Sequence, residues 1–247
     1  SITQPTGITA NITAASLTVT ASAQSKTYGG TAPTSGTLNT NFTVSGLQGT
    51  DAASGATLSY SGTPAGNTAT AAVGSYTITP SALTLSSGST SNYSITYATG
   101  TLTVNAAALT ITGISISNKT YNGNTTATIS GTAAYSGLVN GESFSVTGTP
   151  SASFASANVA TSIAITVSGY TAPSSNYSVT QPTGLTANIT AAPLTITADN
   201  VYKATGTTLT TPVTNSTAFS VSGLVNNETV GTVTITYGTG AASAAAV

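Results

Sequence analysis

Seven side chains carry a formal charge among 247 residues, and six of them recur as couples. Lys26, Lys119 and Lys203 each open a glycine-bearing turn: KTYGG at 26–30, KTYNG at 119–123 and KATG at 203–206. Asp51, Glu142 and Glu228 each lie four residues after the leucine of Ser-Gly-Leu, in SGLQGTD, SGLVNGE and SGLVNNE. The separations are 25, 23 and 25 residues. In a chain that is only 3 % charged, this recurrence points first to a Lys–carboxylate ion pair pinning a loop. An exposed pair of that kind contributes only ~0–1 kcal/mol. Two alternatives stay open. Each charge could hold its own turn through backbone hydrogen bonds, or the acid could assist a Lys–Asn isopeptide cross-link that releases ammonia.

Little other chemistry is open to these residues. With no His and no Cys, zinc has no ligands. Calcium takes 6–8 oxygens with several carboxylates close together, whereas each stretch here offers essentially one acid. No acid–base pair or triad can be assembled, so no catalytic residue and no cofactor is expected, and the chain reads as a non-enzyme. Three dispersed lysines cannot neutralise a phosphate backbone, which argues against nucleic acid as a partner. No apolar run approaches the ~18 residues of a membrane helix, so no membrane insertion is expected in this segment. Thr-x-Thr ladders are what an uncharged strand shows to water, and need no ice or sugar ligand. Tyr60, Tyr76, Tyr93, Tyr97, Tyr121, Tyr135 and Tyr177 read as core or sandwich-corner residues.

The couples belong to a longer repeat. Residues 1–21, SITQPTGITANITAASLTVTA, return as SVTQPTGLTANITAAPLTITA at 178–198 with seventeen of twenty-one positions identical. An Ala-Ala-x-Leu-Thr joint occurs at 14–18, 106–110 and 191–195, so two related units of 92 and 85 residues alternate within a period of 177. Each unit runs from a Thr/aliphatic strand through the lysine turn and Ser-Gly-Leu to a late strand. That strand opens with Asn-Tyr-Ser, at 92–94 and 176–178, and a last strand follows it. The expected organisation is a C-terminal strand of a preceding domain at 1–15, β-sandwiches at 16–107 and 108–192, and a truncated sandwich at 193–247. Alternation of apolar residues with Thr gives the period of half-buried strands. Turn clusters at roughly 8–12 residues, with no helical stripe, indicate an all-β fold of tandem immunoglobulin-like β-sandwiches without disulfides. The joints hold two or three small residues, too short for a flexible linker. Domains joined this way stand end to end.

These signatures resemble two known families. LTVTA with KTYGG and NYSITYATGTLTV is similar to the MBG domain, and KTYNGNTTAT with SGLVNGE and NYSVTQPTGLTANIT is similar to the YDG domain. The third unit departs from the pattern, with Ala204 and Thr205 where the first has Thr27 and Tyr28. The resemblance implies bacterial immunoglobulin-like repeats of large filamentous-haemagglutinin-like surface adhesins, exported by a signal outside this window, with no catalytic residues.

The expected role is structural: a stalk, spacer or fibre body at the cell surface or outside the cell. Its partners would be the neighbouring repeats of the same long chain, with lateral or head-to-tail self-association as a further possibility. The rival expectation is a self-assembling subunit in which residues 1–15 complete a truncated unit by strand donation.

Overall fold

Thr and aliphatic residues alternate through β1 (Ala15–Ala21), which buries Leu17, Val19 and Ala21 on one face and leaves Thr18 and Thr20 half-buried on the other. The chain resumes as β2 (Gln24–Thr27), followed by β3 (Ser35–Gly36), β4 (Phe42–Ser45), β5 (Ala52–Tyr60), β6 (Gly74–Ser87), β7 (Tyr93–Ala98) and β8 (Gly100–Asn105). The computed structural model describes residues 2–4, 6–7 and 9–242. These strands form one sheet in the order β4-β1-β7 and a second in the order β2-β8-β6-β5-β3. Consecutive β1 and β2 therefore belong to different sheets, as do β7 and β8. The two pairs change sheet side by side. At that crossing a Cβ on Gly100 would stand 2.5 Å from the Ala21 carbonyl oxygen, so only glycine lets the backbones pass. The sheets enclose Leu17, Val19 and Phe42 from one side and Ala56 and Leu83 from the other.

The strand partners are the informative part. β1 runs parallel to β7 from Ala15↔Tyr93 to Thr20↔Ala98, and β2 runs parallel to β8 from Gln24↔Leu102 to Thr27↔Asn105. The second repeat uses the same plan with β9 (Ala107–Ile116), β10 (Lys119–Thr120), β11 (Thr126–Ala127), β12 (Ile129–Ser136), β13 (Thr147–Phe154), β14 (Ala160–Thr171), β15 (Tyr177–Thr180) and β16 (Thr186–Thr190). Its sheets are β12-β9-β15 and β10-β16-β14-β13-β11, with β9 parallel to β15 and β10 parallel to β16. The third repeat contributes β17 (Thr195–Ala198), β18 (Val213–Ser216), β19 (Phe219–Ser222) and β20 (Val233–Ile235), paired antiparallel as β17-β19 and β18-β20. The sheets are consistent with immunoglobulin-like sandwiches, and the helix content among the described residues is two 3-10 turns, at Thr90–Asn92 and Thr239–Ala241.

Two compact units emerge, and they cut across the repeats. One comprises Ser1–Thr112, Ala133–Thr149 and Tyr170–Gln181; the other comprises Gly113–Thr132, Pro150–Gly169 and Pro182–Val247. The first unit thus holds the whole first repeat together with the first six residues of β9 and the Ser-Gly-Leu and Asn-Tyr-Ser parts of the second. Its second hydrophobic core confirms that grouping: Ala21, Tyr28, Leu58 and Leu102 of the first repeat cluster with Leu109 and Tyr177 of the second.

One expectation takes a different form. The described residues between 2 and 14 make no strand, and Ile2 and Ile12 are exposed at 93 % and 101 %. The counterpart of Ile12 is Ile189 in β16, which is buried at 1 % between β14 and β10. The segment reads as a strand, but a strand needs neighbours to take its backbone hydrogen bonds. Of the expected third sandwich, residues 243–247 lie outside the described residues.

Candidate functional site: phenols on a carboxylate at the joints

The three Ser-Gly-Leu loops adopt one conformation. Gly46, Gly137 and Gly223 have φ of 102°, 106° and 100°, and a Cβ on any of them would collide with a carbonyl oxygen at the start of the unit's first strand: Ser16, Ala108 or Pro193. Three residues on, Gly49, Asn140 and Asn226 are left-handed at 59°, 56° and 53°, the region that Gly and Asn tolerate. The turn is then closed by the amide of the acid. Asp51 N–H donates to Gln48 O at 3.1 Å, Glu142 to Val139 O at 3.0 Å and Glu228 to Val225 O at 3.0 Å. Backbone geometry therefore delivers each carboxylate to the same place.

Tyrosine, and not lysine, meets it there. Tyr93, the first residue of β7, accepts the Gln48 amide at 2.9 Å and donates to Asp51 Oδ2 at 2.6 Å. Tyr177, the first residue of β15, accepts the Val139 amide at 3.1 Å and donates to Glu142 Oε2 at 2.5 Å. So the tyrosine of Asn-Tyr-Ser relays a hydrogen bond from loop backbone to loop acid within its own repeat. A second phenol comes from the repeat before. Tyr28, in the lysine turn of the first repeat, donates to Glu142 Oε1 at 2.6 Å, and Tyr121, in the turn of the second, donates to Glu228 Oε1.

The first joint is closed by more than this carboxylate. The Tyr28 and Tyr177 rings meet edge to face at 5.5 Å. Gly29 presses against Val139, whose Cγ2 would lie 2.6 Å from an added Cβ. Asn140 Nδ2 donates to Ala69 O at 3.2 Å, and the Val73 amide donates to Asn176 Oδ1 at 3.0 Å. Only Ala106 separates β8 from β9. The phenol hydrogen bonds hold the Glu142 carboxyl below its ordinary value, Tyr177 contributing more than Tyr28 and burial opposing both. The same bond, with burial added, raises the Tyr28 phenol; burial and then Glu142 raise Tyr177. Hydrogen bonds to Asp51 and Glu228 raise Tyr93 and Tyr121.

The lysines fasten something else. Lys26, 9 % exposed, donates to Gly30 O at 3.0 Å and Thr68 O at 2.6 Å, and burial lowers its pKa. Lys119 donates to Asn122 Oδ1 at 2.8 Å, to Asn124 O and Oδ1 at 2.5 and 2.9 Å, and to Thr126 O at 3.2 Å, with the Phe154 ring 5.3 Å away. Lys203 donates to Thr207 O at 3.0 Å and Ala242 O at 2.5 Å. Three ammonium donors suit a turn rich in unpaired carbonyls. Each lysine thus donates to a carbonyl of its own turn, Lys26 and Lys203 also to a carbonyl of a distant segment, while each acid accepts from tyrosine. This corrects the expected ion pair, and it leaves the lysines with no carboxylate among these hydrogen-bond partners to assist an isopeptide.

Sequence reasoning assigned Tyr93, Tyr121 and Tyr177 to core or corner positions and passed over Tyr28. Their signal was present: Tyr recurs in KTY and NYS in step with the acid. Among the described residues, no group of three or more His, Cys, Asp and Glu could hold a metal ion. What this arrangement can do chemically is bind one domain to the next.

Comparison with protein families agrees with that plan. Residues 17–103 match the MBG domain (YGX type), and residues 105–184 match the YDG domain. The chain carries MBG and YDG domains in tandem. No curated protein and no solved structure matches it. The two matches meet at Val104, near the end of β8, and the hydrophobic cluster and the Tyr28–Glu142 bond both reach from one to the other. Glu142, in the YDG domain, is the receptor for a phenol of the MBG domain.

Proposed function

We propose that this chain is a structural repeat segment, the stalk or fibre body of a large bacterial extracellular adhesin or filament protein. One observation carries the reading: at the MBG–YDG joint a single hydrophobic cluster and a carboxylate holding one phenol from each domain replace a linker. Such a joint stiffens the connection, and stiffness is what a spacer needs. Residues 193–247 belong to this reading as a further MBG-like copy, and residues 1–15 as the last segment of a YDG-like one. The chain acts without catalysis or cofactor, and its partners are neighbouring repeats of the same protein. Solution scattering tests the reading. A rigid series of sandwiches with strands rising ~3.3 Å per residue has a longest dimension on the order of 100 Å. A flexible, broadly distributed particle would overturn it.

A second reading is favoured by Ile12, which is fully exposed although its counterpart Ile189 is buried. Residues 1–15 would then add as a strand to another copy, and the chain would be a fibre subunit. Mass that grows with concentration supports this reading; a monomer at every concentration overturns it.

A further inference from the structure

The strand partners described above set how the chain bears tension. Force enters the MBG domain at β1 and leaves at β8; it enters the YDG domain at β9 and leaves at β16. In each domain the first strand segments run parallel to the last ones: β1 with β7 and β2 with β8, then β9 with β15 and β10 with β16. Pulling the ends apart slides these neighbours along each other. Their interstrand hydrogen bonds lie across the sliding direction and resist together, where an antiparallel hairpin pulled from one end would open bond by bond. The two domains share this geometry but not its length. The MBG pairs span six and four residues, and the YDG pairs span four and two. An irregularity between Ala160 and Ile163 further interrupts β14 where it flanks β16.

We propose that the domains form a graded tensile element in which both resist in shear and the YDG domain yields before the MBG domain. The inference rests on the load-bearing reading above and adds an order of failure to it. Alternation of the two types then gives a stalk that lengthens stepwise by releasing YDG domains while MBG domains stay folded.

Single-molecule force spectroscopy on the full chain, held at its two ends, tests this. Residues 193–242, whose described pairs are antiparallel, extend first. A Gly/Ser insertion after the exposed Asn158 marks the YDG event, because twenty added residues lengthen its extension by about 70 Å. The lengthened event is expected before the unlengthened one, with the MBG force higher by roughly 1.5- to 2-fold. A lengthened event at equal or higher force overturns the proposal. Tyr28 N–H donates to Asn105 O, so by the two-residue period the Gln24 amide also faces β8. Gln24→Pro removes that donor and is expected to lower the MBG event alone. The marked chain keeps its native ladders, so the test stands even if Gln24→Pro does not fold. Forced unfolding reports rates of unfolding and not overall shape. A chain that fails the scattering test but keeps this order refutes the stalk reading only; a rigid chain with the reverse order refutes the order only.

Discussion

The joints after the first and second repeats are built from the same motif and reach different depths of closure. At the first, Leu109 is fully buried, β9 has β12 on one edge and β15 on the other, and Glu142 holds two phenols. At the second, the corresponding Leu194 is 49 % exposed, β17 pairs with β19 alone among the described residues, and Glu228 holds Tyr121. Tyr121, Leu194, Val225 and Glu228 line an open depression there; at the first joint Tyr177 stands among the corresponding residues. The parallel strand that begins with Asn-Tyr-Ser supplies the second phenol and covers the leucine.

The comparison can be broken most directly at its leucines. Leu109→Ala removes a side chain from the cluster that spans the MBG–YDG boundary and should cost about 2–5 kcal/mol. Leu194→Ala should stay within about 0.5 kcal/mol. Urea unfolding of the two variants checks this, and equal losses would mean that the second joint closes in solution as tightly as the first. The glycines of the lysine turns come next. Gly29→Ala meets Val139 and a φ of 88°, whereas Gly206→Ala meets the same φ with open space around it. Both should lose about 1–2 kcal/mol from the left-handed backbone, and Gly29→Ala more because of the collision. Thermal denaturation ranks them.

The phenols give a smaller effect. Tyr28→Phe leaves Glu142 with one phenol and should cost about 0.5–1.5 kcal/mol, while Tyr121→Phe should cost less. The smallest signal is in pH. Glu142 is held below its ordinary value, so its stabilisation is complete above the unfolded value of about 4.3 and fades as pH falls through the lower folded one. Tyr28 and Tyr177 are raised, so theirs is complete below about 10 and fades as pH rises through the folded values. Stability relative to Glu142→Gln should therefore be flat at intermediate pH and shrink at both ends, as followed by unfolding at a series of pH values.

Much of this fold is legible in the sequence. Alternating Thr and aliphatics located β1, β8 and β16, and the Asn-Tyr-Ser signature located the starts of β7 and β15, because a two-residue period with one buried face is a local property. The partners of charged groups were not readable. Lys26 and Asp51 recur at a fixed separation because both turns recur, and spacing along a chain cannot tell co-occurrence from contact. The carboxylate's partner lies 114 residues away in the case of Tyr28 and Glu142, in a different domain. The described residues between 2 and 14 carry the pattern of a strand without forming one, because strand formation depends on neighbours that the pattern does not contain.

The captured lysines have a consequence for durability outside the fold itself. A protease that cuts after basic side chains finds no Arg and only three Lys in 247 residues. Lys26 and Lys119 lie in β2 and β10, each zipped to a parallel neighbour and tied by its own ammonium to the turn beside it. To be cut there, the domain must first open, since a protease needs several residues of free extended chain. Lys203 lies outside the described strands and is where digestion would start. In surroundings rich in trypsin-like enzymes, the durability of the first two domains would be set by how rarely they unfold.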